Sequence, residues 1–575
     1  MNAQILPKPP TKTTVRLNGA DAVMQCLLAE GAEMIYGYPG GAIMPIYDAH
    51  YKMRDQIRHV LTRHEQGAIH AAQGYARVND KPAVVFATSG PGATNLVTGL
   101  ADAMIDSTPL VCVTGQVSSH LLGSDAFQET DIISISMPVT KWNYQITRAE
   151  EIPEIFAKAF HIAHSGRPGP VLIDITKDAQ FAELDFVYER CTRVRSYKPV
   201  PDTDAAAVKD AAQLINHAKR PLLVFGQGVI LGKAEAELKA VIEKAGLPAA
   251  WTIMGLSALP TDHPFNVGMV GMHGNYAPNL LTNECDVLIA VGMRFDDRVT
   301  GNLDTYAKQA KVIHFEIDPA EVNKNVRADV AVLGNARDTL AALLPLLEEN
   351  RHPKWYEAFK QADKAEFTKV IKRDLQPESS ELTMAEVLQA INRATDGNHI
   401  IVSDVGQHQM IACRYAKFNE TRSNITSGGL GTMGFALPAA IGAKQGAPDC
   451  EVIAIIGDGG FQMNIQELGT IFQTQTPVKI VVLNNEYLGM VRQWQQLFFD
   501  RRYASTEMVN PDFVTIARGY HIEAESVSER EDLAAAVRRM LAHPGAYFLE
   551  VRTEKEGNVF PMIPSGACVS KMRLE

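Results

Sequence analysis

Nine short runs rich in Val, Ile and Leu recur along the chain, at 82–90, 109–116, 169–175, 221–228, 286–292, 311–318, 399–406, 451–460 and 478–485. Eight of the nine end in glycine or a polar residue (169–175 ends at Ile175, just before Thr176), and helix-period stretches such as GADAVMQCLLAEGA and AEAELKAVIEKAG precede or separate them. Continuous apolar runs of this length read as strands buried on both faces, which is the habit of parallel sheets. Strands that alternate with helices at this spacing mean repeated βαβ units. The expected fold class is therefore α/β, with three doubly wound parallel-sheet domains.

Two polar stretches divide the chain. The segment 191–206 (CTRVRSYKPVPDTDAA) closes a first block, so a domain is expected over 1–190 and a second over 191–348. The highly charged stretch 349–383, with Pro353 and Pro377, reads as a linker whose middle is a solvated helix, and a third domain follows over 384–575. Blocks one and three share a strand, a Gly-rich turn, a helix and another strand, which suggests a duplication. The chain has 575 residues, 55 Lys+Arg against 66 Asp+Glu and a net charge of −11, so no basic field exists to draw nucleic acid or an anionic membrane. Its seven cysteines are scattered, with no CxxC pair, and the first residues, MNAQILPKPPTKTT, lack an apolar leader core. A cytoplasmic protein with no membrane span is expected.

The segment VIAIIGDGGFQMNIQELGTIFQTQTPVKIVVLNNE carries the strongest chemistry. Asp458 follows one expected strand and Asn485 ends the next, so a right-handed βαβ unit brings both to one sheet edge. Oxygen donors of this kind suit Mg²⁺, which takes its remaining ligands from phosphate and water. Gly457, Gly459 and Gly460 let backbone approach a ligand, and the next helix start offers free N–H groups to anions. An Asp-Gly pair alone is more often a helix N-cap; the second arm ending in Asn-Asn turns the reading toward a metal and diphosphate cradle.

GDG followed by NN at this distance resembles the signature of the thiamine-diphosphate enzymes. The resemblance implies thiamine diphosphate and Mg²⁺ as cofactors, with Asp458, Asn485 and the main-chain carbonyl of Tyr487 as metal ligands. VGQHQM (405–410) and SGGLGTMGFALPAAIGA (427–443) match other walls of that pocket. Val405, Gly406, Gln407, His408, Gly431, Gly489 and Met490 would line the cofactor, and Met433 would prop it in a bent shape. Glu65, in LTRHEQGAIHAAQGYAR, would be the carboxylate that activates the aminopyrimidine ring. In such enzymes the two halves of the site come from different subunits, which implies a homodimer or homotetramer.

Four further segments resemble the acetohydroxyacid (acetolactate) synthase family: YGYPGGAIMPIYDA (36–49), GQVSSHLLGSDAFQETD (115–131), SGRPGPVLIDITKD (165–178) and GMVRQWQQLFFD (489–500). The resemblance implies Gly41, Phe127 and Gln128 near the substrate, Lys177 at its channel, and Trp494 shaping the pocket for the second keto acid. A flat apolar wall there gives one extra methylene about 1–3 kcal/mol of contact, which suits 2-oxobutanoate beside pyruvate.

In the middle block, GQGVILG, with Gly226 and Gly228, is weak evidence for a dinucleotide by itself. Acids at a strand end (Glu316, Asp318) with Arg294 and Arg298 strengthen it, because arginine forks suit pyrophosphate. RFDDRVTGN (294–302) resembles the FAD segment of the biosynthetic synthases, which implies FAD contacts from Arg167, His273, Gly274, Asp297, Ile317 and Asn335 as well. The resemblance as a whole implies decarboxylation of pyruvate and joining of the remaining two-carbon unit to a second pyruvate or 2-oxobutanoate, the first common step toward branched-chain amino acids. It implies a possible separate small regulatory subunit, and a C-terminal stretch, EGNVFPMIPSGACVSKM, that closes as a lid. A pyruvate oxidase and a catalytically silent relative are the alternatives.

Overall fold

The computed structural model describes residues 15–575; the leader reading of the first residues lies outside them. The described residues divide into two compact units, 15–73 with 81–197 and 74–80 with 198–575.

The first unit is built on a six-stranded sheet in the spatial order Arg58–Leu61, Met34–Gly37, Ala83–Ala87, Leu110–Gln116, Pro170–Thr176, Trp142–Ile146, every pair parallel. Numbered along this domain, the order is 2-1-3-4-6-5. The central strands are buried from end to end, as their unbroken apolar runs require. Local chemistry starts and stops the helices. Asn18 Oδ1 accepts the N–H of Asp21 at the head of Gly19–Glu30, and Gly31 ends that helix at φ +79°, a conformation costly for any residue with a side chain.

The second unit holds two such sheets. In the middle one the strands run Asn266–Met269, Ala249–Trp251, Pro221–Phe225, Val287–Val291, Lys311–Glu316, Val330–Leu333, all parallel, or 3-2-1-4-5-6 within the domain. That is the order of dinucleotide-binding folds, with its topological switch between Pro221–Phe225 and Val287–Val291. The last sheet runs Asn424–Thr426, Ile400–Ser403, Val452–Gly457, Lys479–Asn484, Tyr547–Arg552, Glu523–Val527, again all parallel. Its order, 2-1-3-4-6-5, repeats that of the first unit, in keeping with the duplication suggested by the sequence. The expectation of three parallel-sheet α/β domains is met.

Two segments are more ordered than the sequence suggests. Within 349–383, the helix Pro353–Glu366 is not merely solvated: it buries Trp355 and Phe359, and Trp355 Nε1 donates to the carbonyl of Pro221 at 2.8 Å. The C-terminal stretch is packed as well. Val559, Phe560, Met562 and Ile563 are buried, and the N–H of Ile563 donates to the Met272 carbonyl at 2.9 Å. Arg492, fully buried on the helix Gly489–Phe498, donates to Gly557 O at 2.6 Å and to Asn558 Oδ1 at 2.7 Å. Gln493 clasps the backbone of Val559 in both directions, at 3.0 and 2.9 Å.

Candidate active site

In the first unit, three loops gather at the carboxyl edge of the sheet around its switch point. Glu65 begins the helix Glu65–Asn79 and is buried; its Oε2 accepts Asn95 Nδ2 at 2.9 Å. A side chain on Gly92 would come within 3.3 Å of its other oxygen. The loop after Met34–Gly37 carries Gly41, which faces open space, and Ala42 N donates to Thr88 Oγ1 at 3.2 Å. Gln128 adopts φ +61° and backs onto Gly90, and its neighbour Phe127 is 89% exposed. Glu129, missed by sequence reasoning, organises that loop by accepting the N–H groups of Gly123, Ser124 and Ala126, and these donors hold its carboxyl below the usual range. Lys177 starts a short helix directly after Pro170–Thr176 and is half-buried, and the next residue, Asp178, binds Ser119 through backbone and hydroxyl. Arg167 Nε donates to Ser107 Oγ at 2.9 Å.

In the last sheet, the switch lies between Ile400–Ser403 and Val452–Gly457, and the loops after these strands carry the motifs. His408 is buried against both: a Cβ on Gly457 or on Gly406 would lie 2.7 Å from the imidazole Cε1. Burial pushes His408 down to about 3, so the ring is neutral at working pH, and its buried Nε2 has no hydrogen-bond partner among the described residues. Asp458 opens the short helix Asp458–Met463, is buried, and accepts Asn510 Nδ2 at 2.7 Å through Oδ2. Burial raises its carboxyl to about 6. Asn485 follows the strand Lys479–Asn484; its Oδ1 accepts the N–H of Tyr487 at 3.3 Å, and its amide reaches Gln407 Oε1 at 3.5 Å. Gln407 Nε2 donates to Gln493 Oε1 at 2.9 Å and to Gly557 O at 2.8 Å. A Cβ on Gly489 would strike Gln407 Oε1 at 2.2 Å, and next to Gly489 stands the half-buried Met490. Met433 brings its methyl to 3.7 Å from the Cβ position of Gly459, while Gly431, at φ +74°, is open but for Val405 Cγ1 at 3.9 Å.

Asp404 was not anticipated. Fully buried, it accepts the N–H groups of Val405 (2.8 Å), Gly434 (3.0 Å) and Ala436 (3.0 Å), fastening the Met433 turn to the end of the strand Ile400–Ser403, just before the helix that carries His408. Its carboxyl also touches the Cβ position of Gly460, at 2.7 Å. The one signal for it was an acid directly after a buried strand.

Among the described residues no three His, Cys, Asp or Glu side chains group as a metal site. One carboxylate, one amide oxygen and one carbonyl are instead the donor set of a cation completed by phosphate and water. The partnerless Nε2 of His408, the glycine-lined space beside Gly431 and these oxygens fit a metal-bound diphosphate.

In the middle domain, Gly226 and Gly228 press on Gly292 at the switch point; a Cβ on Gly228 would lie 2.5 Å from Gly292 Cα. These glycines therefore serve close strand-end packing. Arg294 is half-buried beside Asp296, while Arg298 is exposed beside Asp297 at 3.7 Å. Glu316 Oε1 accepts the N–H groups of Ile317 and Asp318 at 2.9 and 3.1 Å, Asp318 caps the next turn, and Asn335 caps the helix Ala336–Leu343. His273 is buried with Nδ1 3.3 Å from the Pro561 carbonyl, and Gly274 accepts Arg414 Nη1 at 2.9 Å. Trp251, which ends the second strand of this domain, and Ser257 in the loop after it are buried, and among the described residues Trp251 Nε1 and Ser257 Oγ have no hydrogen-bond partner. Trp494 meets Phe498 in a tilted ring contact, centroids 4.9 Å apart, and packs on Phe560 and Met562 of the C-terminal stretch.

The class these features define is that of the thiamine pyrophosphate enzymes, and three family models match in order: the N-terminal TPP binding domain over 17–135, the central domain over 208–343 and the C-terminal TPP binding domain over 404–551. The chain is 45% identical to the acetolactate synthase large subunit of Corynebacterium glutamicum, over 97% of this chain and 90% of that one. It is 45% identical to the isozyme 2 large subunit of Escherichia coli, over 97% and 99%, and 44% identical to the isozyme 1 large subunit, over 98% of both. The protein belongs to the acetolactate synthase large-subunit family of thiamine pyrophosphate enzymes.

Proposed function

We propose that this chain is the catalytic subunit of a biosynthetic acetolactate synthase, which decarboxylates pyruvate and joins the two-carbon remainder to a second pyruvate or to 2-oxobutanoate. The observation that carries the reading is the pairing, on one chain, of a buried and oriented Glu65 with the His408, Asp458 and Asn485 cradle. When bound, thiamine pyrophosphate supplies the electron sink that lets a 2-oxo acid lose CO₂. Glu65 holds a proton-accepting oxygen in place, aimed by Asn95. Asp458, Asn485 and the Tyr487 carbonyl hold Mg²⁺, and neutral His408 with Gln407 meets the diphosphate without adding charge. Met433 props the cofactor. Gly41, Phe127, Gln128 and Lys177 are the substrate residues of the first unit in this reading, and Trp494 that of the second.

FAD is the ligand we assign to the middle crevice, with Arg294, Arg298, His273 and Gly274 among its contacts. The domain boundaries given above, a homodimer or homotetramer, and a cytoplasmic location complete the reading. No helix among the described residues is long and apolar enough to cross a membrane, and none of the cysteines is paired. Relatives named as large subunits support a separate small subunit as partner.

The test is acetoin, released by acid from the product, after incubation of the purified protein with pyruvate, Mg²⁺, thiamine pyrophosphate and FAD. Acetoin that requires thiamine pyrophosphate, forms without oxygen and falls sharply in Glu65→Gln supports the synthase. Hydrogen peroxide with acetyl phosphate would move the reading to an oxidase, and no turnover with both cofactors bound would mark a silent relative.

A further inference from the structure

Arg414 and Glu366 form an ion pair, Nη2 to Oε1 at 2.6 Å, with both side chains 1% exposed. Arg414 lies near the end of the helix Gln407–Tyr415, which opens with Gln407 and His408, and Glu366 closes the helix Pro353–Glu366. The remaining bonds of the pair converge on one loop of the middle domain. Glu366 accepts Asn275 Nδ2 at 3.1 Å and the N–H of Tyr276 at 2.6 Å, while Arg414 donates to the Gly274 carbonyl at 2.9 Å. The adjacent Tyr415 hydroxyl donates to Asp374 Oδ2 at 2.7 Å, so the helix end is tied on both sides of the π-helical turn Phe367–Ile371.

Charges taken out of water at this depth are costly unless paired; here both guanidinium Nη atoms are bonded while Arg414 Nε has no partner among the described residues, and the bonds made hold the pair's partners to one geometry. Apolar residues of equal volume would serve packing as well or better. A helix rises about 1.5 Å per residue, which puts Arg414 about 9 Å from His408 along one rigid element.

We propose that Arg414 and Glu366 are positioning residues that couple the loop 273–276 to the thiamine pyrophosphate-binding helix, so that occupancy of either cofactor site tightens the other. This rests on the assignment of FAD to the middle crevice. Linkage demands that the two effects be equal in size.

The experiment is the affinity of the full-length apoprotein for thiamine pyrophosphate in Mg²⁺, by calorimetry, with and without saturating FAD, and then the converse titration. The expected result is a mutual tightening of about 10-fold, within the usual span of coupled sites. Arg414→Lys, which keeps the charge but loses the fork, should reduce it to about 3-fold. The paired variant Arg414→Met with Glu366→Gln leaves no buried charge unmatched and should abolish the mutual effect while both cofactors still bind. A merely structural role would weaken both affinities and leave their ratio unchanged. An undiminished ratio in the paired variant overturns the proposal, and so does a ratio of one in the unaltered protein with both cofactors bound. Should the paired variant fail to fold, the lysine variant decides by the same ratio. Absence of flavin binding to the unaltered protein would overturn the FAD assignment and this proposal together, a result distinct from bound flavin without coupling.

Discussion

The imidazole of His408 occupies the space that a Cβ on Gly457 would need: a methyl there would lie 2.7 Å from both Cε1 and Nδ1. Gly457→Ala must therefore displace the ring or the strand end, an overpacking cost of about 1–3 kcal/mol. Thiamine pyrophosphate affinity is expected to fall about 10-fold, read by calorimetric titration, with the circular dichroism spectrum unchanged.

Glu65→Gln keeps shape and removes the proton-accepting oxygen. Acetolactate formation should drop by about 10²–10⁴-fold, the usual worth of a positioned acid–base group, with cofactor affinity within about threefold of the unaltered protein. Asn95→Ala, which only releases the carboxylate from its 2.9 Å hydrogen bond, should cost less. Equal losses in the two variants would contradict a proton-transfer role for Glu65.

Asp404→Ala strips the acceptor from three N–H groups, those of Gly434 and Ala436 in buried hydrogen bonds and that of Val405 in a part-buried one. Each orphaned donor costs about 1–3 kcal/mol, so the variant should unfold at a clearly lower temperature and bind thiamine pyrophosphate weakly. Asp404→Asn should fall between the two, since its amide retains one acceptor oxygen. A melting temperature unchanged in Asp404→Ala would refute this role.

His59 and His399 are both lowered by burial to about 4. A histidine whose folded pKa lies below its unfolded value of 6.5 adds stability that is complete above pH 6.5 and is lost as pH falls toward 4. Thermal stability should therefore decline across that window, and His399→Asn should make the decline shallower, with differential scanning fluorimetry as the readout. A slope unaltered by the substitution would locate the proton uptake elsewhere.

Arg492→Ala removes the donor to Gly557 O and Asn558 Oδ1. Limited proteolysis should then cut after residue 556 sooner than in the unaltered protein, while the strands of the last sheet stay protected.

Much of the fold was legible because periodicity is a local property. Unbroken apolar runs announced parallel strands, and the paired arms at Asp458 and Asn485 announced a sheet-edge cradle, since both follow from the βαβ unit alone. Glu129 and Asp404 were not legible. Each is an acid whose meaning lies in the backbone N–H groups it accepts, and those belong to residues brought near by turns rather than by pattern. The helix Pro353–Glu366 was underestimated for a related reason. Its charged surface dominates its composition, whereas Trp355 and Phe359 find their burial against a sheet far away in sequence.

By itself the sequence determined the kinds of element, their alternation, and the chemical types at the site, because hydrophobic period, turn residues and ligand atoms are written in short stretches of chain. Tertiary structure alone decided the strand orders 2-1-3-4-6-5 and 3-2-1-4-5-6, and with them where the switch-point crevices open. It alone decided that His408 is neutral, that the C-terminal stretch is clasped by Arg492 and Gln493, and that Arg414 meets Glu366. Burial and partnership depend on which distant segments share a space, and desolvation acts only once they do.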